Sequence, residues 1–518
     1  MMFTYERGMH QILSKNRILL VIPPLSNHLY HLYLWAIIKK VRESNIELTL
    51  IFNRGPIDNN RKYIEANKKT FRLEKQFRHF LIENGIPSLK ILESNNLNIT
   101  FPQDYDEFEG IKYAGDLLEI NKNIPLLNLS LHSIFVSLVS SADEKYEVTS
   151  YLSYLKKLQD SFHYSFQLCK FLFDLQGFDE IIFLNGRDPG QAGVRYFAEQ
   201  NTISWHALEH GINPGYTFHL ETFQTQDRIA IQNRMKLAEL DLTDVDEFEI
   251  EGWFQKWTDQ QRKNKFYNPN LRTGNLPSSF TNNLRPLVPI FTTSLDEDVS
   301  SVGYSRVDLR SLILETERAA DKIRDAGFHP LVVVHPNSLN KSWSDLRLLY
   351  TELCKYNLDV VWPWQNVSSY DLISISSFCL TWRSTIALEA ILEGKVCMNL
   401  ADSTYDLIVE IPRFSLENIQ DFEISKYSLK AKHYLFFWMN HGHCVMNYMD
   451  LAEYNNLRNA LFGRFERNQF RANIRYYFSI LTAPFRWKTC TPKQIQRFFQ
   501  LFGKPGLIDW TFRKILSQ

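Results

Sequence analysis

The sequence has few cysteines and no paired cysteine motif. Its 518 residues include 6 cysteines, and none forms a CxxC pair, which argues against a zinc ribbon or a disulfide framework. Cys379 and Cys397 lie in apolar runs, where a buried free thiol is the usual state. These features predict a reducing compartment. The other cysteines are Cys169, Cys354, Cys444 and Cys490.

Long apolar runs are also missing. No stretch reaches the roughly 20 apolar residues that a membrane-spanning helix needs. The apolar run at residues 17–22 is too short for a signal peptide and ends at Pro23-Pro24. We therefore expect a cytoplasmic protein.

Several catalytic and cofactor motifs are absent. No GxGxxG follows the first apolar run, which disfavours a dinucleotide cofactor, and no Walker A, HExxH, GxSxG or EF-hand pattern occurs. His441, His443 and Cys444 form the one short cluster of metal-binding residue types, and a single cluster of this kind is weak evidence. We predict no cofactor and no bound metal.

An excess of either charge is missing as well. Lys and Arg together number 58, as do Asp and Glu, so net charge predicts no nucleic-acid partner. The C-terminal part is locally basic between Arg464 and Lys514, with Phe and Trp interleaved. Three interpretations stay open for it: binding to an anionic membrane surface at the inner face of the plasma membrane, packing as a helix across the first domain, or nucleic-acid binding, which no motif supports.

What the sequence does contain is an alternation of short apolar runs and segments with helical periodicity. This alternation is typical of α/β domains with parallel sheets. Residues 266–285 are rich in Asn, Pro, Gly and Ser and separate two such halves. The predicted strands are Ile18–Ile22, Glu47–Phe52, Leu89–Leu92, Glu180–Leu184 and Ile203–Leu208 in the first half, and Leu287–Phe291, Leu331–Val334, Asp359–Trp362 and Phe378–Trp382 in the second.

Polar residues follow two strands of the second half. His335-Pro336 and Arg383-Ser384-Thr385 each come directly after an apolar run, and ligands of parallel sheets bind outside the carboxyl ends of the strands. Imidazole, guanidinium and hydroxyl groups suit a nucleotide phosphate, and Glu389, one turn into the next helix, suits a ribose. The alternative interpretation is a histidine in an ordinary turn, a helix cap at Ser384 and a solvated carboxylate at Glu389.

Two segments of the first half carry the candidate catalytic carboxylates. Asp188 and Glu209 both follow predicted strands, and we expect them to face the nucleotide site across an inter-domain cleft. A carboxylate in that place suits general-base or nucleophile chemistry at an anomeric carbon. The alternative is a turn-forming acid beside Gly or Pro. Arg187 can bind an acceptor or a sugar carboxylate, or pair with a neighbouring acid.

Several short motifs occur in order between residues 183 and 400: Asn185-Gly186-Arg187, Glu209-His210-Gly211, Phe291-Thr292-Thr293-Ser294, His335-Pro336, Ser384-Thr385, Glu389-Ala390 and Gly394-Lys395. Together they resemble bacterial GT-B glycosyltransferases of surface polysaccharides, in particular the capsule and lipopolysaccharide group that includes the β-Kdo transferases. The resemblance implies two Rossmann-like domains facing across a cleft, with no bound metal. It further implies that Asn185-Gly186-Arg187 and Glu209-His210-Gly211 are acceptor-side segments.

This resemblance also implies roles. Thr293, Ser294, His335, Pro336 and the turn at residues 383–385 bind the donor nucleotide, often CMP in Kdo- and sialyl-transferring relatives. Glu209 or Asp188 is catalytic, and Arg187 and His210 contact the acceptor or the sugar. The chain departs from an acidic pair before glycine in polysialyl-type relatives, because Glu209-His210-Gly211 stands there. That departure leaves the CMP-sugar assignment and the stereochemical outcome open.

The predicted organisation has four parts. Residues 1–270 form an N-terminal acceptor-side domain, 271–286 a linker, 287–425 the nucleotide-sugar domain and 426–518 a helical basic and aromatic extension. The expected function is sugar transfer from a nucleotide donor, which is a substrate rather than a cofactor, to a glycan or glycolipid acceptor. Three alternatives remain: a polyol-phosphate transferase, a nucleotide-sugar epimerase and a non-catalytic subunit of a glycan-assembly complex.

Overall fold

The structure of the protein is a computed structural model, which describes part of the chain. The described segments comprise residues 17–22, 34–39, 46–53, 75, 77–83, 89–93, 110, 112, 149–184, 186, 189–210, 217–222, 227–241, 247–263, 285–293, 309–340, 343–356, 358–440, 444–447, 496 and 505–516.

Twelve strands and twelve helices with defined bounds organise the described part of the chain. The strands are β1 Arg17–Ile22, β2 Glu47–Phe52, β3 Leu89–Glu93, β4 Glu180–Leu184, β5 Ser204–His210, β6 Thr217–Glu221, β7 Leu287–Phe291, β8 His329–Val333, β9 Asp359–Val361, β10 Cys379–Thr381, β11 Cys397–Asn399 and β12 Cys444–Asn447. The helices are α1 Thr149–Gln176, α2 Pro189–Gln200, α3 Arg228–Asp241, α4 Glu247–Lys263, α5 Leu309–Asp325, α6 Trp343–Cys354, α7 Ser369–Ile375, α8 Ile386–Leu392, α9 Asp406–Val409, α10 Leu416–Gln420, α11 Ile424–Asn440 and α12 Pro505–Leu516.

A seven-stranded sheet forms the first of two compact units. Its order is β12-β6-β5-β4-β1-β2-β3. Strands β1 to β5 are parallel, and at one edge β6 pairs antiparallel with β5 and β12 pairs antiparallel with β6. All five residues of β4 are buried, as expected for a parallel strand that is covered on both faces. Strands β3-β2-β1-β4-β5 thus follow the Rossmann order, in which the direction of winding reverses between β1 and β4.

Helices α1 and α2 pack tightly in the first unit. A Cβ atom added to Gly193 of α2 would lie 2.2 Å from the carbonyl oxygen of Phe162 in α1. Only glycine allows the two backbones to approach so closely. The side chains of Leu168, Leu172, Phe183 and Phe197 belong to the core that this packing covers.

The second unit contains a five-stranded sheet of order β11-β10-β7-β8-β9. All its strand pairs are parallel. The apolar runs of β7, β10 and β11 are wholly buried. Three buried tryptophans, Trp362, Trp364 and Trp382, belong to one hydrophobic core cluster of this unit. The strand order is again that of a Rossmann domain, and its reversal point lies between β7 and β10.

The chain therefore has an α/β fold with two Rossmann-like units, as the sequence predicted. The segment at residues 228–263, which the sequence assigned to a domain of residues 1–270, forms α3 and α4, and its described contacts belong to the second unit. Gln232 Nε2 donates to the carbonyl oxygen of Thr404 at 3.1 Å, and Lys432 pairs with Glu251. The predicted linker at residues 271–286 lies mostly outside the described residues.

Three local predictions were wrong. The prediction of helices throughout 426–518 did not include β12, which pairs with β6. The apolar pattern of Leu407–Ile411 predicts at most one strand, but this segment overlaps the short helix α9. Strand β5 was predicted to end at Leu208, but it continues to His210 because β6 pairs with it as a hairpin partner. For β12 and β5 the pairing strand β6 lies outside the predicted segment, so local pattern did not reveal it.

The C-terminal helix α12 packs inside the second unit, not across the first. Phe512 is fully buried and stacks on Trp364, with ring centroids 4.6 Å apart. Trp364 Nε1 donates to Asp509 Oδ1 at 3.0 Å, and Arg347 donates to the carbonyl oxygen of Ile515 at 3.1 Å. In the described residues, no helix combines the length and the apolar character that crossing a bilayer requires.

Candidate functional site

The candidate nucleotide site lies at the carboxyl edge of the second sheet. Strand β7 stands between β8 and β10, so the residues that follow these three strands come out side by side. They are Thr292-Thr293 after β7, His335 after β8 and Arg383-Ser384 after β10. Neighbouring strands are about 4.8 Å apart, which puts the ends of β8 and β10 roughly 10 Å from each other. The structure thus brings the predicted histidine and the predicted turn to one edge, at the reversal point of the strand order.

Thr292 connects the ends of β7 and β8. Its Oγ1 accepts a hydrogen bond of 2.9 Å from the backbone N–H of His335. Its own N–H donates to the carbonyl oxygen of Val333 at 3.0 Å. These two bonds fix the backbone from which the half-buried side chains of His335 and Pro336 extend. Thr293 is buried beside them, and Ser294 lies outside the described residues.

The turn between β10 and α8 satisfies most of its own amides. Thr381 Oγ1 accepts from Ser384 N–H at 3.0 Å. Ser384 Oγ accepts from Ile386 N–H at 3.4 Å, and Ser384 O accepts from Ala387 N–H at 3.1 Å. Ser384 Oγ thus bonds to the first residue of α8, although the N-cap residue of this helix is Thr385, which makes no side-chain cap hydrogen bond. Helix α8 is only seven residues long, so a ligand at this edge must rely mainly on side chains.

Three side chains of this region differ in exposure. Arg383 is 8% exposed, whereas Thr385 is exposed and Glu389 half-buried. A guanidinium group keeps its charge at every physiological pH and binds phosphate oxygens in a bidentate way. The arrangement thus provides one permanent cation, one exposed hydroxyl and one carboxylate along the start of α8.

A polar network behind the turn was missed by the sequence analysis. The Tyr405 hydroxyl lies 2.9 Å from Ser384 O and 3.0 Å from Asn399 Oδ1. Asn399 Nδ2 in turn donates to Asp406 Oδ1 at 2.7 Å. Arg228 of α3 donates through Nε to the carbonyl oxygen of Ser403 at 2.7 Å and lies 3.6 Å from Asp406.

The electrostatics of this network follow from its burial. Burial raises the pKa of the Asp406 carboxyl group, against the opposing effect of hydrogen bonds from Ser403 and of the charges of Arg413 and Arg228. Burial, with the neighbouring Asp406 charge, also raises the pKa of the Tyr405 phenol well above its ordinary value of 10.0. Asn399, a polar residue at the end of β11, could have been found by the strand-end rule. Nothing in the local sequence marks Tyr405.

In the first unit, the structure changes the setting of Glu209. This residue was predicted in an open loop, but it lies inside β5, opposite His219 of β6, and is 8% exposed. His210 is the last residue of the same strand. Gly186, the middle residue of the predicted acceptor-side segment at residues 185–187, has a φ of +75°, which favours glycine. Arg187 and Asp188 lie outside the described residues, as do His441 and His443.

Comparisons with known proteins give remote similarities. No family model matches the chain, and no curated protein sequence matches it. It is similar in structure to the β-Kdo 2,7 transferase KpsC of Thermosulfurimonas dismutans, with 13% sequence identity, coverage of 52% of this chain and 80% of that one, and a TM-score of 0.33. It is also similar to UDP-GlcNAc 2-epimerase of Neisseria meningitidis bound to UDP-GlcNAc, with 11% identity, coverage of 81% and 95%, and a TM-score of 0.27. At these identities and TM-scores the similarities assign neither a family nor an activity.

Proposed function

We propose that this chain is a GT-B glycosyltransferase that transfers a sugar from a nucleotide donor to a glycan or glycolipid acceptor without a bound metal. The observation that carries the proposal is the strand order of the second sheet. It brings the residues after β7, β8 and β10 to one edge at the reversal point, which is where open α/β sheets bind nucleotides. Those residues include Thr293, His335, Pro336 and the turn at 383–385.

The chemistry of this edge suits a phosphate-bearing donor. Arg383 supplies a permanent positive charge, and His335 and Thr385 supply hydrogen-bond donors roughly two strand spacings apart. Ser384 contributes less as a direct ligand, because its amide and hydroxyl already bond within the turn. Glu389, half-buried one turn further on, is assigned to the ribose.

The acidic CMP-activated sugars, Kdo first among them, are the donors that the sequence resemblance favours. For catalysis we assign Glu209 or Asp188, and for the acceptor or the sugar Arg187 and His210. Glu209 in a β-hairpin has a backbone fixed by strand pairing, which favours it over a loop residue for positioning a carboxylate. Association with an anionic membrane surface through basic residues of the C-terminal segment is part of the same proposal.

Nucleotide binding is tested with a thermal-shift panel of CMP, UDP, GDP and CDP. A nucleotide at one hundred times its dissociation constant stabilises the folded protein by about 2.7 kcal/mol. The Arg383→Lys variant keeps the positive charge but loses the planar guanidinium group that can bind phosphate in a bidentate way, so we expect its affinity for the nucleotide to fall about tenfold to a hundredfold. Arg318→Lys is the matched control, because Arg318 is an exposed residue that pairs with Glu315 on α5. Equal affinities of the two variants would contradict the placement of the site.

Transfer itself is tested with CMP- and UDP-sugars, following nucleotide release and the mass of the glycan. Glu209→Gln and Asp188→Asn are compared with the wild type, and at least one should lose activity by two orders of magnitude or more, as expected for general acid–base chemistry. Normal activity in both variants would remove the catalytic assignment. Transfer of glycerol phosphate, or epimerisation without acceptor, would replace the proposed reaction, and undetectable turnover with every donor would favour a non-catalytic subunit.

A further inference from the structure

The buried hydroxyl of Tyr405 contacts the backbone of the proposed donor site. Tyr405 is fully buried and packs edge-on against Tyr434, with ring centroids 6.3 Å apart. Its hydroxyl oxygen is 2.9 Å from the carbonyl oxygen of Ser384, the central residue of the turn between β10 and α8. The tyrosine lies beyond β11, 21 positions later in the chain, so this contact is a tertiary one.

Two of the groups within hydrogen-bond distance of this hydroxyl are acceptors. Asn399 directs its amide nitrogen to the Asp406 carboxylate at 2.7 Å, and its Oδ1 therefore faces the tyrosine at 3.0 Å. The single phenolic proton is thus shared between Ser384 O and Asn399 Oδ1. Because burial raises the pKa of the Tyr405 phenol well above 10.0, the hydroxyl group keeps that proton throughout the neutral pH range.

We propose that Tyr405 is a positioning residue for donor binding, which holds the turn that carries Arg383 and Thr385. The peptide unit is planar, so holding the Ser384 carbonyl oxygen also fixes the Cα atoms of Ser384 and Thr385 at its two ends. On the other side of the residue, the N–H group of Ser384 donates to Thr381 Oγ1 at 3.0 Å. The turn is therefore held at both the N–H and the carbonyl of Ser384, and Tyr405 shares the carbonyl with the N–H group of Ala387, which donates to it at 3.1 Å.

The function of this contact rests on the proposed nucleotide site. Arg383 and Thr385 flank Ser384 at the reversal point of the sheet, where a rotation of the 384–385 peptide would move both side chains. The position of the Tyr405 side chain is itself fixed by a polar network. Asn399 contacts the Tyr405 hydroxyl, Asp406 accepts from Asn399, and Arg228 pairs with Asp406. A side chain that never touches the donor can in this way determine the affinity for it.

Tyr405→Phe tests the proposal because it removes one hydroxyl and keeps the buried ring. Tyr434→Phe is the matched control: it removes the hydroxyl of the neighbouring buried ring and leaves the Tyr405 bonds in place. Hydrogen exchange of the ligand-free proteins is measured on peptides that cover residues 381–388. We expect exchange in this segment to become about fivefold faster in Tyr405→Phe, the equivalent of one lost hydrogen bond, and to stay unchanged in the control.

The second measurement is the dissociation constant of the nucleotide that binds the wild type. It should rise about threefold to tenfold in Tyr405→Phe, with the kcat of transfer at saturating donor changed less than the KM. Unchanged exchange would overturn the structural role, and faster exchange with unchanged affinity would overturn the link to donor binding while the proposed function stood.

If the wild type bound no nucleotide, the proposed function would fail and the link to donor binding with it, while the exchange data would still decide whether Tyr405 holds the turn. Thr381→Val removes the hydrogen bond on the other side of the turn. It replaces Tyr405→Phe if that variant does not fold, and an affinity equal to that of the control would then overturn the proposal.

Discussion

Replacing Phe512 by alanine should destabilise the second unit. Phe512 is 0% exposed, stacks on Trp364 at an interplanar angle of 22°, and shares a core with Trp362 and Leu516. A buried Phe→Ala change typically costs about 3–5 kcal/mol, which is the sum of the lost transfer free energy of the side chain and the cost of the cavity that remains. Whole domains are stable by only about 5–15 kcal/mol. One side chain near the C-terminus is therefore expected to account for a large part of the stability of this unit.

Urea unfolding followed by tryptophan fluorescence is the assay. Because the chain has two units, two transitions are expected, and only the one that belongs to the second unit should move to lower urea. Phe248→Ala is the matched control, since Phe248 is 83% exposed on α4 of the same unit, and its cost should stay within about 0.5 kcal/mol. Equal losses in the two variants would refute the conclusion that α12 completes the core.

The same result bears on the membrane proposal. A deletion of residues 464–518 would remove Phe512 and Leu516 from the core, so its effect on liposome binding would mix unfolding with lost contacts. Replacement of the exposed Arg513, or of other basic residues between 464 and 504, by glutamine is the cleaner test. Unchanged binding to anionic vesicles after all these replacements would contradict the proposed membrane contact.

Two further predictions concern packing and thiol chemistry. Gly193→Ala should destabilise the first unit by more than about 1 kcal/mol, because the new Cβ would lie 2.2 Å from Phe162 O and overpacking costs about 1–3 kcal/mol. The control Gly252→Ala, in open space on α4, should instead stabilise the protein by up to about 1 kcal/mol. Stability changes of the same sign in both variants would contradict the close approach of α1 and α2. A thiol reagent added to the native protein should modify the exposed Cys354 and spare the buried Cys379, since burial raises the pKa of the Cys379 thiol to about 12. Peptide mass spectrometry measures the labelling of each cysteine, and equal labelling of the two would contradict the burial of Cys379.

Much of the fold could be predicted because the strands of a parallel sheet are nearly continuous apolar runs. Strands β1, β2, β4, β7 and β9 lie within two residues of their predicted bounds. Their burial on both faces requires Val, Ile, Leu and Phe at consecutive positions, and this requirement is visible in the local sequence. The same reasoning located His335 and the turn at Arg383, because polar residues that end such runs must lie at one edge.

What local sequence cannot contain is the identity of a partner far along the chain. Glu209 was predicted in a loop and belongs to a hairpin, because β6 pairs with β5. The position of α12 depended on a match between Phe512 and a tryptophan core more than one hundred residues earlier. Tyr405 gained its role only when β11 was placed beside β10. Amino-acid order by itself therefore determined the strands and the residues at their ends. Tertiary structure decided which of them meet, because strand order, register and buried hydrogen bonds arise from non-local contacts.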